Sequence, residues 1–237
     1  MNPRKPAFTL METLLAISVV AILLTTFLAV FGPATTGIRR AISVQDADRL
    51  ASALEKELSI LTDAERGSYE TAFAKAYEWI ESSDTLTNAI ILFNYRGDTS
   101  NIIDGELEAY TDELGNPGQD YIIQPSVSRL GSDDIELEQR LEAVEGRAFA
   151  VRMRQLVRGG SGALVPAQPG SGIVSTEGAS SSGVNNFEEA VIAFQAEFYL
   201  LPANSYAYIT GPLAQGGDDF ERTLGKPLFT RNMAVRR

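Results

Sequence analysis

The segment that most limits the folds open to this chain is "METLLAISVVAILLTTFLAVFG", Met11 to Gly32. No charged residue occurs from Thr13 to Phe31, and from Leu14 to Phe31 the polar side chains are Ser18, Thr25 and Thr26. A run of this length and composition suits a helix that crosses a bilayer. Arg4 and Lys5 precede it, and the cytoplasmic bias of basic residues places them inside and everything after Gly32 outside. A secretory signal peptide has a shorter apolar core with a small-residue cleavage site behind it. Here the run passes directly into a charged helical pattern, so a retained single-pass anchor is expected. Glu12 is at odds with an ordinary anchor. An unpaired carboxylate carried to the bilayer centre costs about 2.5–3.5 kcal/mol or more. One account is an incidental interfacial glutamate that reaches back toward the headgroups.

Composition narrows the chemistry. With 31 acidic against 20 basic residues the net charge is −11, and no basic cluster approaches what phosphate backbones require, so nucleic acid is not an expected partner. The chain has no Cys and no His. Disulfides, thiol nucleophiles, the usual triad base and the commonest transition-metal ligand are therefore all missing. A Gly-x-Ser-x-Gly nucleophile motif is absent, "GASSSG" having the wrong spacing, and so is a phosphate loop. The pairs Asp133–Asp134 and Asp218–Asp219 offer acid–base groups in principle, but loop carboxylates of this kind are usually solvated surface. "GSDDIELE" (Gly131–Glu138) and "GGDDFE" (Gly216–Glu221) carry the hard oxygen ligands calcium favours, without the spacing of a dedicated loop. The expectation is a non-enzymatic chain without a cofactor, calcium being the one ion its carboxylates suit.

The order of residues around Glu12 supplies a sharper reading. "PAFTLMETLLAISVVAIL" resembles the N-terminus of type IV pilins and type II secretion pseudopilins. That pattern is a small residue, Phe, Thr-Leu, one hydrophobic residue, Glu and then the apolar run. Ala7, Phe8, Thr9, Leu10, Met11 and Glu12 match it, behind the basic leader residues Arg4 and Lys5, with Ala7 standing where the family usually has Gly. The resemblance implies cleavage between Ala7 and Phe8 by a prepilin peptidase and N-methylation of Phe8. It also implies that Glu12 pairs with the N-terminal amine of a neighbouring subunit during assembly. Implied partners are other pilin or pseudopilin subunits, the peptidase, an inner-membrane assembly platform and the lipid bilayer. A helix start favours an anion in its first turn, and one buried carboxylate with one obligatory cation specifies register.

Beyond the anchor, Gly32, Pro33 and Gly37 are points where a helix can kink or unwind. Ala47, Leu50, Leu54, Leu58 and Leu61 then recur at helical spacing, predicting a helix packed on the domain's own core, with a coiled-coil partner as the alternative. Phe73, Tyr77 and Ile80 form a second stripe in Ser68–Ser82, with Ser68 as the predicted cap. Strands are predicted at Ala89–Gly97, after the turn signals of "GNPGQD", at "AFAVRMRQLVR" (Ala148–Arg158), Glu188–Pro202, Ser205–Thr210 and Pro227–Arg237, with turns at Pro202–Asn204 and Gly211–Pro212. In Ala148–Arg158, Phe149, Val151, Met153 and Val157 share one face and Arg152, Arg154 and Arg158 the other. That arginine face reads as a solvated surface with local ion pairs, or as a docking face for an acidic neighbour. Gly159–Gly183 is rich in Gly, Ser and Pro and reads as a long exposed loop inserted between strands.

The expected fold class is α+β: a long N-terminal helix, transmembrane first and amphipathic second, packed on a C-terminal antiparallel sheet. The expected organisation is a leader at 1–7, a transmembrane and polymerisation helix at 8–31, and an outer domain at 32–237. As a filament subunit the chain would sit in a bacterial inner membrane, single-pass, with a cytoplasmic N-terminus and a periplasmic domain, and afterwards in a periplasmic or surface filament. The Gly/Ser loop would be awkward in a tightly packed shaft and favours a minor, priming or tip subunit. The alternative from another class is a membrane-anchored periplasmic binding module that never polymerises; an anchored hydrolase using carboxylates ranks third.

Overall fold

Helix α1 (Leu10–Ser59) begins in the apolar run and ends in the amphipathic stripe. In this computed structural model the described residues are 9–62, 65–103, 105–112, 114–130, 135–168, 183–217 and 219–237. They belong to two compact units, Met1–Ser43 and Val44–Arg237. Gly32, Pro33 and Gly37 do not end α1: Pro33 lies inside it and forfeits one ladder bond while the helix continues.

Within the second unit, Ala47, Leu50, Ala51, Leu54 and Leu58 of α1 are fully buried, so the predicted stripe packs on the chain's own core as far as Leu58, while Leu61 lies past the end of α1 and is half-buried. Helix α2 (Ala72–Ser82) adds Phe73, Ala76, Tyr77 and Ile80 to the same core. Its cap is Thr71 and not Ser68: the Thr71 hydroxyl accepts from the Ala74 amide at 3.1 Å.

Both helices cover one face of a seven-stranded antiparallel sheet built from β1 (Ile90–Ile103), β2 (Glu106–Ala109), β3 (Tyr121–Arg129), β4 (Val144–Arg158), β5 (Leu164–Pro166), β6 (Val191–Leu200) and β7 (Phe229–Arg236). β4 sits between β1 and β6, and β7 follows β6. Gly97 of β1 pairs with Ala109 of β2 and Ile122 of β3, which places those strands on opposite sides of β1. The sequence suggests an end to β1 at Gly97, yet the strand runs on to Ile103. At Gly97 a Cβ atom would lie 2.8 Å from the Leu107 Cβ, so glycine permits the close crossing of β2. Pro125 falls on β3, which among the described strands pairs with β1 alone, so a missing N–H is tolerated there.

The opposite face of the sheet is also covered, which the strand alternation did not suggest. Ser205–Thr210 is not a strand. After Asn204, whose side chain bonds the Ala148 amide and the Gly146 carbonyl, the chain forms α4 (Tyr206–Tyr208) and a π turn at Ile209–Leu213. With α3 (Ile135–Glu142) and α5 (Phe220–Leu224), these turns bury Leu137, Leu141, Ile209, Leu213 and Phe220 against Ile91, Phe93, Ala150 and Tyr199. Gly159–Gly183 likewise is not loop throughout: it opens with a hairpin in which β5 pairs with the end of β4. Residues 169–182 lie outside the described residues.

Because that face is covered, the solvated arginine face is corrected in part. Arg158 is exposed, but Arg152 is buried between β4 and β6. Its Nε and Nη2 both donate to Glu197 Oε2, at 2.9 and 2.7 Å, and Nη2 also donates to the Tyr199 hydroxyl. Arg154 pairs with the other Glu197 oxygen. Burial pushes the Glu197 carboxyl up, but donation from Arg152 and Arg154 outweighs it and holds the group below the usual carboxylate value. A second buried cation, Lys75, lies 2.5 Å from Glu57 and 2.6 Å from Glu65, over the ring of Trp79. Burial likewise raises the Glu65 carboxyl, and its bond from Lys75 leads the contacts that bring it below its ordinary value.

Glu197→Ala strips two arginines of their shared carboxylate. We expect a loss of about 3–5 kcal/mol in the unfolding free energy of the full chain in detergent, followed by near-UV circular dichroism. The depressed carboxyls also set a pH dependence. Their contribution is complete above the unfolded carboxyl value of 4.5 and is lost as pH falls below it toward the folded values. Unfolding midpoints should therefore drop below about pH 4.5, and Glu197→Gln should flatten that drop.

Candidate functional site

The start of α1 gathers the sequence features that no core explains. Thr9 is its N-cap and Glu12 is the third helical residue. The Glu12 amide donates to the Thr9 hydroxyl at 3.3 Å, while the Thr9 amide and hydroxyl each donate to Glu12 Oε2 at 3.3 Å. This is a reciprocal capping box, in which a hydroxyl and a carboxylate satisfy two of the four amides a helix start leaves open. The Thr-x-x-Glu pattern of this box, Thr9–Glu12, lies inside the longer Ala7–Glu12 motif. Among the described residues every side-chain contact of Glu12 falls on Oε2.

The helix that follows is exposed on all sides. Leu10, Met11, Leu14, Leu15, Val20 and Phe27 all point outward, and no residue of the most apolar window is buried. Phe27 and Phe31, one turn apart, stack with centroids 4.1 Å apart. Each hydroxyl in this stretch bonds back to its own helix. Thr13, Ser18, Thr25 and Thr26 donate to the carbonyls of Leu10, Leu14, Ala21 and Ile22 at 2.7–2.8 Å. Such back-bonding leaves no hydroxyl to be satisfied by solvent, the condition a lipid environment imposes. By length and composition this helix is a candidate membrane span.

Of the three residues singled out by sequence, Glu12 lies in this cap, and Ala7 and Phe8 lie outside the described residues. The two acidic stretches considered for calcium are only partly described. Asp133, Asp134 and Asp218 lie outside the described residues, Asp219 caps α5 by accepting from the Arg222 amide, and Glu136 pairs with Arg140. Among the described residues no three Asp, Glu, His or Cys side chains converge as a metal site would need. Compared with protein-family models, with curated proteins and with solved structures, the chain matches none.

Thr9→Val removes the hydroxyl that caps the Glu12 amide and leaves the residue-9 amide bonded to the Glu12 carboxylate, a loss of about 1 kcal/mol at the helix start. In a detergent micelle the amides of Met11 to Thr13 should exchange with deuterium roughly fivefold faster than in the wild type, while Thr9→Ser should leave them unchanged.

Proposed function

We propose that this chain is a structural, non-enzymatic subunit of a type IV pilus or type II secretion pseudopilus. In this reading it is inserted in a bacterial inner membrane, cut between Ala7 and Phe8, methylated on Phe8, and assembled through its hydrophobic helix, probing neither substrate nor cofactor. The observation that carries the proposal is the state of Glu12: a carboxylate in the first turn of α1, at the start of an exposed apolar stretch and at the position the prepilin-type motif requires. Among the described residues the cap that holds it is made by Thr9 and Glu12. With Oε2 taken by Thr9, Oε1 is the atom that would receive a neighbour's N-terminal amine. A two-layer or thicker α+β domain beyond a long helix suits such a subunit, and its Gly/Ser-rich stretch suits a minor, priming or tip position.

One observation favours a second reading. The Thr9 cap by itself gives Glu12 a local reason to be present, as a membrane-anchored periplasmic binding module that never polymerises would need.

Two measurements separate the readings. The mature chain should have a mass that begins at a methylated Phe8, and an intact Met1 would overturn the filament proposal. Glu12→Gln keeps a residue that closes a capping box but removes the charge. It should leave the exchange rates of the first turn near wild type and abolish incorporation into filaments; incorporation at wild-type level assigns Glu12 to the cap alone. Glu12→Ala should lose both.

A further inference from the structure

Two arginines close the uncharged part of α1 at the end opposite Glu12. From Thr13 to Ile38 no residue is charged, and Arg39 and Arg40 follow. At 1.5 Å per residue this stretch is about 39 Å long. A bilayer measures about 30 Å across its hydrocarbon and about 40–45 Å with its headgroups. When the Glu12 end lies in one headgroup layer, Arg39 and Arg40 thus reach the other. A tilt of about 20° shortens the span by only a few ångströms. We propose that Arg39 and Arg40 bind the phosphate groups of anionic phospholipids and so set the depth of the helix in the membrane.

The surroundings of the pair fit that ligand. Both arginines are exposed, and no acidic residue occurs in the sequence between Glu12 and Asp46. Among the described residues neither makes an ion pair, although the half-buried Arg231 does, with Asp48 and Glu55. Side chains on a helix lean toward its N-terminus, which for these two is toward the bilayer. Ile38 and Ile42 flank them with 60 % and 52 % of their surface exposed, apolar side chains at the depth where acyl chains meet headgroups. The Thr35 and Thr36 hydroxyls, which cross the same layer, donate to the Gly32 carbonyl and do not compete for phosphate. Guanidinium groups match phosphate oxygens in a fork geometry. Charge supplies the remaining argument. A chain of net charge −11 is repelled by an anionic surface, and these are the cations closest after the apolar run.

The inference rests on α1 crossing a membrane and is independent of cleavage at Phe8 and of assembly. The test uses the full chain reconstituted in phosphatidylcholine vesicles carrying either spin-labelled phosphatidylglycerol or spin-labelled phosphatidylcholine at low salt. Electron spin resonance then measures the lipid immobilised at the protein. Phosphatidylglycerol should be preferred by about fivefold per arginine, with the preference falling as salt is added. Arg39→Gln with Arg40→Gln should abolish the preference, Arg39→Lys with Arg40→Lys should retain most of it, and Arg49→Gln should leave it unchanged. Equal immobilisation of the two lipids by the wild type, or a preference that survives the double Gln change, overturns the proposal. A double Gln variant that keeps its lipid preference but loses cross-linking between copies assigns the pair to an acidic protein surface instead, which also overturns it.

Discussion

A helix that is apolar on every side must find a surrounding other than water, and most features of the first unit follow from that. From Leu10 to Phe31 no side chain is buried against the chain itself, so the hydrophobic surface is left for lipid or for other helices. The polar atoms on this stretch are dealt with locally. Hydroxyls return to carbonyls of the same helix, and the first turn is closed by Thr9 and Glu12. The backbone of such a segment has few alternatives, because a helix satisfies its own amides where no water is available to do so.

The second unit solves the opposite problem, that of holding a cysteine-free domain together. Its sheet is buried on both faces, by α1 and α2 on one side and by α3, α5 and the turns between β6 and β7 on the other. Two cations, Lys75 and Arg152, are among the charged groups enclosed in the process. Lys75 joins the end of α1, through Glu57, to the turn at Glu65 and to α2. Arg152 joins β4 to β6 through Glu197. Buried pairs add little net stability compared with well-packed apolar residues, but an arrangement that leaves one partner alone is heavily penalised. Their effect is to favour one placement of α1 on α2 and one register of β4 against β6.

Periodicity made much of this fold legible. The stripe at Ala47, Leu50, Leu54 and Leu58, the stripe at Phe73, Tyr77 and Ile80, and the strands at β1, β3, β4, β6 and β7 all follow from spacing of apolar residues, because burial acts on whichever face is apolar. The misreadings share a cause. Ser205–Thr210 has the aromatic and β-branched composition of a strand, but it buries Ile209 from a π turn over the sheet. Arg152 alternates with apolar neighbours as a solvent-facing residue would, and local pattern cannot register that Glu197, 45 residues away, meets it under a second layer.

For the candidate site the division is similar. The sequence by itself determined the apolar run, the place of Glu12 at its start, the arginines at its far end and the exclusion of cysteine and histidine chemistry, since these depend on composition and order along one helix. Only the tertiary structure decided that both sheet faces are covered and that Lys75 and Arg152 are enclosed. Those outcomes depend on which distant segments meet, and the free energy of burying a charge is set by a partner that no neighbouring residue reveals.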